Sequence, residues 1–168
     1  MTSKIVELNK DKHMDLIKQM IKKDPQWLSQ LWLLGGDKYD LDDYTTWTPN
    51  FVVSDEHDSW MLKDFISVHG FAECTTYPSY HKLSIDWFYI HESLRWNGLW
   101  SMLMTKVLNH ARLLNMEIVN LIVYDDNEKA KKFYEKFGFE VSGSKKYSKK
   151  IKGKWIWSTN YTLILNYD

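Results

Sequence analysis

The sequence predicts an α/β domain in which a mixed β-sheet is covered by helices. Apolar residues alternate with a period of two along 82–91, recur at helical spacing along 98–114, and run without a break along 118–124. Strand, helix, strand, helix and strand follow one another in the second half of the chain. This order indicates some parallel pairing with helices across the sheet. With 168 residues, 44% of them hydrophobic, we expect a single domain over 1–168.

The first fifty residues are predicted to be mainly helical. A short strand at 4–8 precedes a helix that Asp11 is suited to cap, because its carboxylate can accept the unpaired amides of a first turn. Pro25 begins a second helix with a broad apolar face, and Gly35-Gly36 ends it. The acidic and aromatic stretch 37–50 is predicted to be a loop.

The middle of the chain is predicted to be extended. Strands are expected at 51–54, at 60–75 with a break near Lys63, and at 82–91. Pro78 marks the turn between the second and the third of these strands.

Helices and strands alternate in the remainder. The longest helical pattern covers 98–114, and the apolar run 118–124 is typical of a strand buried on both faces. A further helix is predicted at 127–137, followed by strands at 139–141 and 155–166.

Composition narrows the class of protein. The lone Cys74 cannot form an internal disulfide and has no metal-ligand spacing around it, which favours the cytoplasm and no metal site. No run approaches the roughly 18 apolar residues that a membrane span needs. The lysine-rich segment 145–154 could attract nucleic acid, but a hairpin between the last strands is the simpler interpretation. We therefore expect neither a membrane nor a nucleic-acid partner.

A strand that leads directly into a helix forms the most informative junction in the chain. The strand ends near Ile90, a short turn follows, and the segment from Arg95 to Trp100 opens the long helix. The first turn of a helix presents unpaired amides and a partial positive charge, so this junction is a candidate anion site. Arg95 adds a charged donor and Gly98 permits close backbone approach, which suits a pyrophosphate.

Two motifs lie in register in this half of the chain. The first is Arg95-x-x-Gly98-x-Trp100, which lies between a strand and a helix and matches the pattern Arg/Gln-x-x-Gly-x-Gly/Ala except at its last position. The second follows the pattern N-x-x-A-x-x-F-Y-x-K-x-G-F and consists of Asn127, Ala130, Phe133, Tyr134, Lys136, Gly138 and Phe139. Together they resemble the signature of the GNAT superfamily of acetyl-CoA-dependent N-acetyltransferases, and the similarity spans about residues 50–165.

The resemblance implies both a fold and a co-substrate. The fold is a mixed, mostly antiparallel sheet flanked by helices, whose central strands, ending near Ile90 and Val123, splay apart to admit the pantetheine arm of acetyl-CoA. The backbone at Tyr89 and Ile90 would pair with that arm like an added strand. The residues that the resemblance assigns to acetyl-CoA are Phe88, Tyr89, Ile90, Arg95, Trp96, Asn97, Gly98, Leu99, Trp100, Ser101, Asn127, Lys129 and Lys136.

The resemblance also implies catalytic roles. Tyr134, by its place in the motif, is the general acid that protonates the departing CoA thiolate, since a phenol keeps its proton near neutral pH. A base is needed because only a neutral amine attacks the thioester. Asp86, which interrupts an apolar strand, is the first candidate and would act through water; Glu73 and His91 are the alternatives.

The acceptor is predicted only as an amine of a small molecule or a peptide. Asp40, Asp43 and Tyr44 lie in the acidic loop and could attract and stack against a cation, which favours a polyamine or an amino sugar. A solvated loop with no ligand is the alternative.

Two tryptophans depart from the family pattern, which has Gly at the position of Trp96 and Gly or Ala at that of Trp100. An indole at Trp100 that points inward would displace the pyrophosphate, whereas one that points outward would leave the helix amides accessible. A second hypothesis therefore stays open, a GNAT-fold protein that has lost turnover and binds nucleic acid or a protein. Exposed aromatic residues in the last strand are compatible with a homodimer.

Overall fold

The described residues form an eight-stranded sheet with helices packed against it, as given by a computed structural model of the chain. The structure describes residues 3–9, 12–13, 15–16, 19–20, 57–63, 68–91, 94, 98–142, 147–151 and 154–167. In chain order the elements are β1 (Lys4–Glu7), β2 (His57–Lys63), β3 (Val68–Tyr77), a 3₁₀ turn (Pro78–Tyr80), β4 (Lys82–Ile90), α1 (Leu99–Leu113), β5 (Ile118–Tyr124), α2 (Glu128–Lys136), β6 (Glu140–Val141), β7 (Tyr147–Ile151) and β8 (Lys154–Ile164).

The strand order across the sheet is β1-β2-β3-β4-β5-β8-β6, with β7 paired to β8 beside it. Each of these neighbouring pairs is antiparallel except β4 and β5, which run parallel. The parallel pair is joined by the crossover helix α1, as a connection between parallel strands requires. The predicted mixed, mostly antiparallel sheet is therefore confirmed.

Alternate residues of the central strands point to one face of the sheet and form the core with α1 and α2. Leu83 and Ile85 of β4 and Val119, Leu121 and Val123 of β5 are all buried in the same cluster as apolar side chains of the two helices. We call this side the helix face of the sheet and the other side the opposite face.

The expectation that β5 is buried on both faces is wrong. Ile122, which points to the opposite face, is 57% exposed, and Ile118 and Asn120 on that face are half-buried. The apolar run in the sequence thus reflects one buried face and one partly exposed face. A run of this length cannot by itself distinguish the two arrangements.

Asn9 caps the first described helical residues. Its side-chain Oδ1 accepts the amide of Lys12 at 3.1 Å, and its own amide donates to Nδ1 of His13 at 3.0 Å. The predicted cap Asp11 lies outside the described residues, and the cap that the structure describes is Asn9. The helix predicted to begin at Pro25, the loop 37–50 and the strand at 51–54 lie outside the described residues.

The other boundaries agree with the sequence patterns to within a few residues. The break near Lys63 separates β2 from β3, and Pro78 begins the turn between β3 and β4. The lysine-rich segment contributes β7, which forms the predicted hairpin with β8. The expectation of one domain over 1–168 stays a prediction. No helix among the described residues is long and apolar enough to cross a membrane.

Candidate active site

The two parallel strands at the centre of the sheet separate halfway along their length. Strand β4 pairs with β5 only from Lys82 to Ile85, opposite Ile118 to Leu121, although β4 continues to Ile90 and β5 to Tyr124. The helices α1 and α2 begin shortly after these two strand ends. The split thus opens toward the N-termini of both helices, where unpaired amides and partial positive charge are concentrated.

Asp86 lies at the point where the strands part. Glu73 of β3 pairs with Trp87, whereas Cys74 pairs with Ile85, so Asp86 is the extra residue of a β-bulge in β4. The side chain of Asp86 is exposed, and its Oδ2 accepts a hydrogen bond of 2.5 Å from the Thr75 hydroxyl. The bulge therefore places a carboxylate beside the split.

The two other candidate bases differ from Asp86 in exposure. Glu73 is 3% exposed and lies two residues from Thr75 on the same strand, so both side chains belong to the opposite face. His91 follows the end of β4, is half-buried, and donates its amide to the carbonyl of His69 at 2.8 Å. Asp86 is thus the most accessible of the three candidates.

Tyr134 occupies the helix face of the split. It lies on α2, is 7% exposed, and packs with its ring centroid 6.3 Å from that of Phe88, three residues beyond the last pairing of β4 with β5. Burial raises the pKa of the phenol above its ordinary value of 10, and Cys74 nearby raises it further. The hydroxyl therefore keeps its proton throughout the physiological pH range.

Asn127 is the N-cap of α2, the helix that carries Tyr134. The Asn127 side chain accepts the amide of Ala130 at 3.2 Å, which satisfies one of the unpaired donors of the first turn. That Asn127 contacts the co-substrate stays a prediction, and the structure shows a capping role for its side-chain oxygen. Lys129 and Lys136 on the same helix are exposed.

The indole of Trp100 points inward. Its centroid lies 5.4 Å from that of Phe88 on β4 and 4.9 Å from that of Phe133 on α2, and the residue is half-buried. Because α1 follows β4 and α2 follows β5, these three rings join the two helices above the split. We call Phe88, Trp100 and Phe133 the aromatic bridge.

The start of α1 is only partly described. Gly98 is the N-cap with φ of 72°, a left-handed conformation that favours glycine, and apart from its chain neighbours no described residue has an atom within 4 Å of where a Cβ would be. Leu99 is half-buried and Ser101 is exposed. The predicted pyrophosphate residues Arg95, Trp96 and Asn97 lie outside the described part of the chain, as do the predicted acceptor residues Asp40, Asp43 and Tyr44.

This arrangement of strands and helices is that of a known family. The model of the acetyltransferase (GNAT) family matches residues 23–139, which is more than half of the chain. The chain belongs to the GNAT family of acetyltransferases. As a GNAT acetyltransferase it is an acetyl-transferring enzyme, and the fold expected from the sequence motifs is confirmed.

Solved structures agree on the fold. A probable GNAT-family acetyltransferase from Chromobacterium violaceum superposes with a TM-score of 0.77 at 15% identity, over 98% of this chain and 88% of that one. An N-acetyltransferase from Staphylococcus aureus superposes with a TM-score of 0.72 at 17% identity, over 99% of this chain and 100% of that one. The ribosomal-protein-S18-alanine N-acetyltransferase from Escherichia coli superposes with a TM-score of 0.72 at 11% identity, over 99% of this chain and 96% of that one. No curated protein sequence matches the chain.

Sequence reasoning missed the bulge at Asp86 and the aromatic bridge. A signal for the bulge is present in the sequence, because the core residues of β4 are Leu83 and Ile85 before it but Phe88 and Ile90 after it, a shift of one residue in the alternation. The direction of the Trp100 side chain has no such signal. Among the residues that the structure describes, no group of three or more His, Cys, Asp or Glu is placed to hold a metal ion.

Proposed function

We propose that this GNAT acetyltransferase moves the acetyl group of acetyl-CoA directly to a primary amine. The observation that carries the proposal is the split between β4 and β5, with Tyr134 on the helix face and Asp86 reaching the opposite face. A thioester placed in the split would meet a proton donor from one side and an amine from the other. Because the amine attacks the acetyl carbon itself, no nucleophile of the enzyme is required.

The co-substrate is proposed to lie along the exposed side of the split. The edge of β4 from Phe88 to Ile90 faces the gap left by β5, and it suits pairing with the amide groups of the pantetheine arm. The diphosphate would lie at the start of α1, near Gly98 and Ser101, with Arg95, Trp96 and Asn97 as the proposed loop residues. Asn127, Lys129 and Lys136 are proposed contacts from α2.

The proposed reaction begins at the amine. Asp86, directly or through water, accepts a proton from the ammonium group, and the nitrogen lone pair then forms a bond to the acetyl carbon. The carbon–sulfur bond breaks, its electron pair goes to sulfur, and sulfur takes the phenolic proton of Tyr134. The phenol regains a proton from solvent as the new amide nitrogen loses one, so the overall reaction releases one proton per acetyl group transferred.

Burial of Tyr134 affects both partners of the final proton transfer. The raised pKa of the phenol alone would make it a weaker acid toward a thiolate. A thiolate that forms against the same buried ring is desolvated as well, so its pKa rises in the same direction. The pKa values of the phenol and the thiol therefore stay closer together than the shift of the phenol alone suggests.

The inward indole of Trp100 is the observation that favours the second hypothesis, a GNAT fold without turnover. Calorimetric titration with acetyl-CoA and CoA distinguishes the two hypotheses. We expect one saturable site per chain. No heat and no thermal stabilisation at millimolar acetyl-CoA would show that the aromatic bridge blocks the site and would refute the proposed co-substrate.

Substitution of Tyr134 by Phe tests the mechanism. We expect kcat to fall by at least about 100-fold, because general acid catalysis contributes roughly 10²- to 10⁴-fold, while folding is retained. Tyr161→Phe is the matched control, because this buried phenol donates to Glu135 at 3.3 Å and has no part in the proposed reaction. An unchanged rate in Tyr134→Phe would remove Tyr134 from the mechanism.

A further inference from the structure

A row of polar side chains crosses the opposite face of the sheet. Thr75 on β3 is paired with Ser84 on β4, Ser84 with Asn120 on β5, and Asn120 with Thr162 on β8. Directly paired residues point to the same face, so the four side chains form one line perpendicular to the strands. Since neighbouring strands are about 4.8 Å apart, the line is about 14 Å long. We call these four residues the polar row.

The middle of the polar row contains a side-chain oxygen that could accept a hydrogen bond from a ligand. Thr162 at one end donates to the Ser142 hydroxyl at 2.6 Å, and Thr75 at the other end donates to Asp86. Between them, Oδ1 of Asn120 is shielded from water and accepts no hydrogen bond from any described residue. A buried carbonyl oxygen without a hydrogen-bond donor destabilises the protein. If the half-buried Asn120 side chain turned toward a bound ligand, a donor on that ligand would satisfy this oxygen.

Apolar side chains lie on both sides of the polar row. Ile118 and Ile164 are paired with each other on one side, and Ile122 lies on the other. Ile164 and Ile122 are 59% and 57% exposed. A ligand along the row would therefore meet polar groups under its centre and isoleucine side chains along its flanks, with Lys82 beside Ile118 and Asn160 beside Ile122. Sugar rings, with hydroxyl groups at their edges and C–H groups on their faces, match that pattern.

The polar row ends at the proposed catalytic carboxylate. Asp86 is bonded to Thr75, the first member of the row, and lies beside the split, with Glu73 two residues from Thr75 on the same face. The split between β4 and β5 opens one residue beyond the Ser84–Asn120 pair, so an ammonium group held at Asp86 would stand about one strand from the thioester of the proposed reaction. Glu140, an exposed carboxylate paired with Thr162, lies beyond the other end.

We propose that the acceptor is an amino sugar, whose amine lies at Asp86 and whose hydroxyl groups bind along the polar row. This inference rests on the proposed N-acetyltransferase function. A polyamine would need carboxylates along its length, whereas the row has carboxylates only at its two ends, Asp86 and Glu140, and a hydroxyl and an amide in its middle. A peptide would pair through its backbone with a strand edge rather than lie across a sheet face. The length of the row suits two linked sugar rings better than one.

The experiment measures initial rates of acetyl transfer to four amines. These are glucosamine, the two-ring amino sugar neamine, spermidine and a peptide with an N-terminal alanine. Cyclohexylamine serves as an amine of similar ring size that lacks the hydroxyl groups. We expect both amino sugars to have a higher kcat/KM than cyclohexylamine, spermidine and the peptide. In Ser84→Ala and Asn120→Leu, we expect kcat/KM for the amino sugars to fall by about five- to tenfold through KM. The KM of acetyl-CoA and the rate with cyclohexylamine should not change.

Thr105→Ala is the matched control, because it removes an exposed hydroxyl on α1, away from the polar row. If Asn120→Leu does not fold, Ser84→Ala carries the same comparison. Equal losses for glucosamine and cyclohexylamine, or a preference for spermidine or the peptide, would overturn the amino-sugar assignment while leaving N-acetyl transfer intact. Binding of glucosamine is also followed by saturation-transfer NMR without turnover. Absence of that binding overturns the inference, and absence of acetyl-CoA binding separately overturns the proposed function.

Discussion

Replacing Trp100 by Ala should move stability and co-substrate affinity in opposite directions. The indole joins α1 to β4 and α2 through its contacts with Phe88 and Phe133, and these contacts lie above the split. The family pattern has Gly or Ala at this position. If acetyl-CoA enters between the two helices, the aromatic bridge must part first, and the variant no longer has a bridge to open.

The size of each effect follows from the contacts of the ring. Truncation of a fully buried Trp costs about 3 to 5 kcal/mol, so the half-buried Trp100 should cost about 2 kcal/mol of unfolding free energy. An aromatic pair contributes about 0.5 to 1.5 kcal/mol beyond its buried area, and Trp100 forms two pairs. Opening the bridge therefore costs about 1 to 3 kcal/mol. The Kd for acetyl-CoA should fall at least about fivefold in Trp100→Ala.

Urea unfolding gives the first quantity and calorimetric titration with acetyl-CoA gives the second. Trp157→Ala is the control for affinity, because Trp157 on β8 is 46% exposed and lies outside the bridge, so its truncation should lower stability without changing the Kd for acetyl-CoA. A weaker affinity in Trp100→Ala would refute the reasoning, since it would mean that the indole is a wall of the co-substrate site. An unchanged affinity would mean that the co-substrate never passes between these rings.

Two further predictions concern α2 and Tyr134. Asn127→Ala should cost about 1 kcal/mol of unfolding free energy, because it removes the cap on Ala130. Asn127→Asp should keep the cap but weaken acetyl-CoA binding by charge repulsion. Urea unfolding and calorimetric titration of both variants check this, and equal stability of the two variants would contradict it. Because burial raises the pKa of Tyr134 in the folded protein, the folded state holds that proton above pH 10 while the unfolded state loses it, so stability is full below pH 10 and falls above it by up to about 1.4 kcal/mol per pH unit. Between pH 8.5 and 11, the unfolding free energy measured with urea should fall less in Tyr134→Phe than in the wild type. An identical dependence of unfolding free energy on pH in the two proteins would refute this explanation.

The sequence was sufficient for the elements that form the split, because each has a long and regular pattern. The helix predicted at 98–114 is Leu99–Leu113, and the strand predicted at 118–124 is Ile118–Tyr124. Helical and alternating periodicity average over many residues, so one unusual residue does not change the assignment. The motif beginning at Asn127 likewise fixed the start of α2, since an amide side chain is a common cap.

Features that depend on a single side chain or a single extra residue were not predictable in the same way. The bulge at Asp86 shifts the alternation of β4 by one residue, and a period-two reading of the whole strand hides such a shift. The direction of Trp100 is set by Phe88 and Phe133, which are distant in sequence and become neighbours only when the sheet forms. The exposure of Ile122 depends on what covers the opposite face, which its own strand does not encode.

The bulge and the split together explain how one thioester could be reached from both sides of a sheet. Tyr134 packs among core residues on the helix face, whereas Asp86 is bonded to Thr75 on the opposite face. In a continuous sheet these two groups would be separated by backbone hydrogen bonds, and no substrate could touch both. The end of pairing after Ile85 removes that barrier at the position where the bulge places the carboxylate. The proposed reaction therefore needs the local defect in the sheet as much as it needs the two side chains, and restoring regular alternation by deleting Asp86 should abolish transfer even where the protein folds.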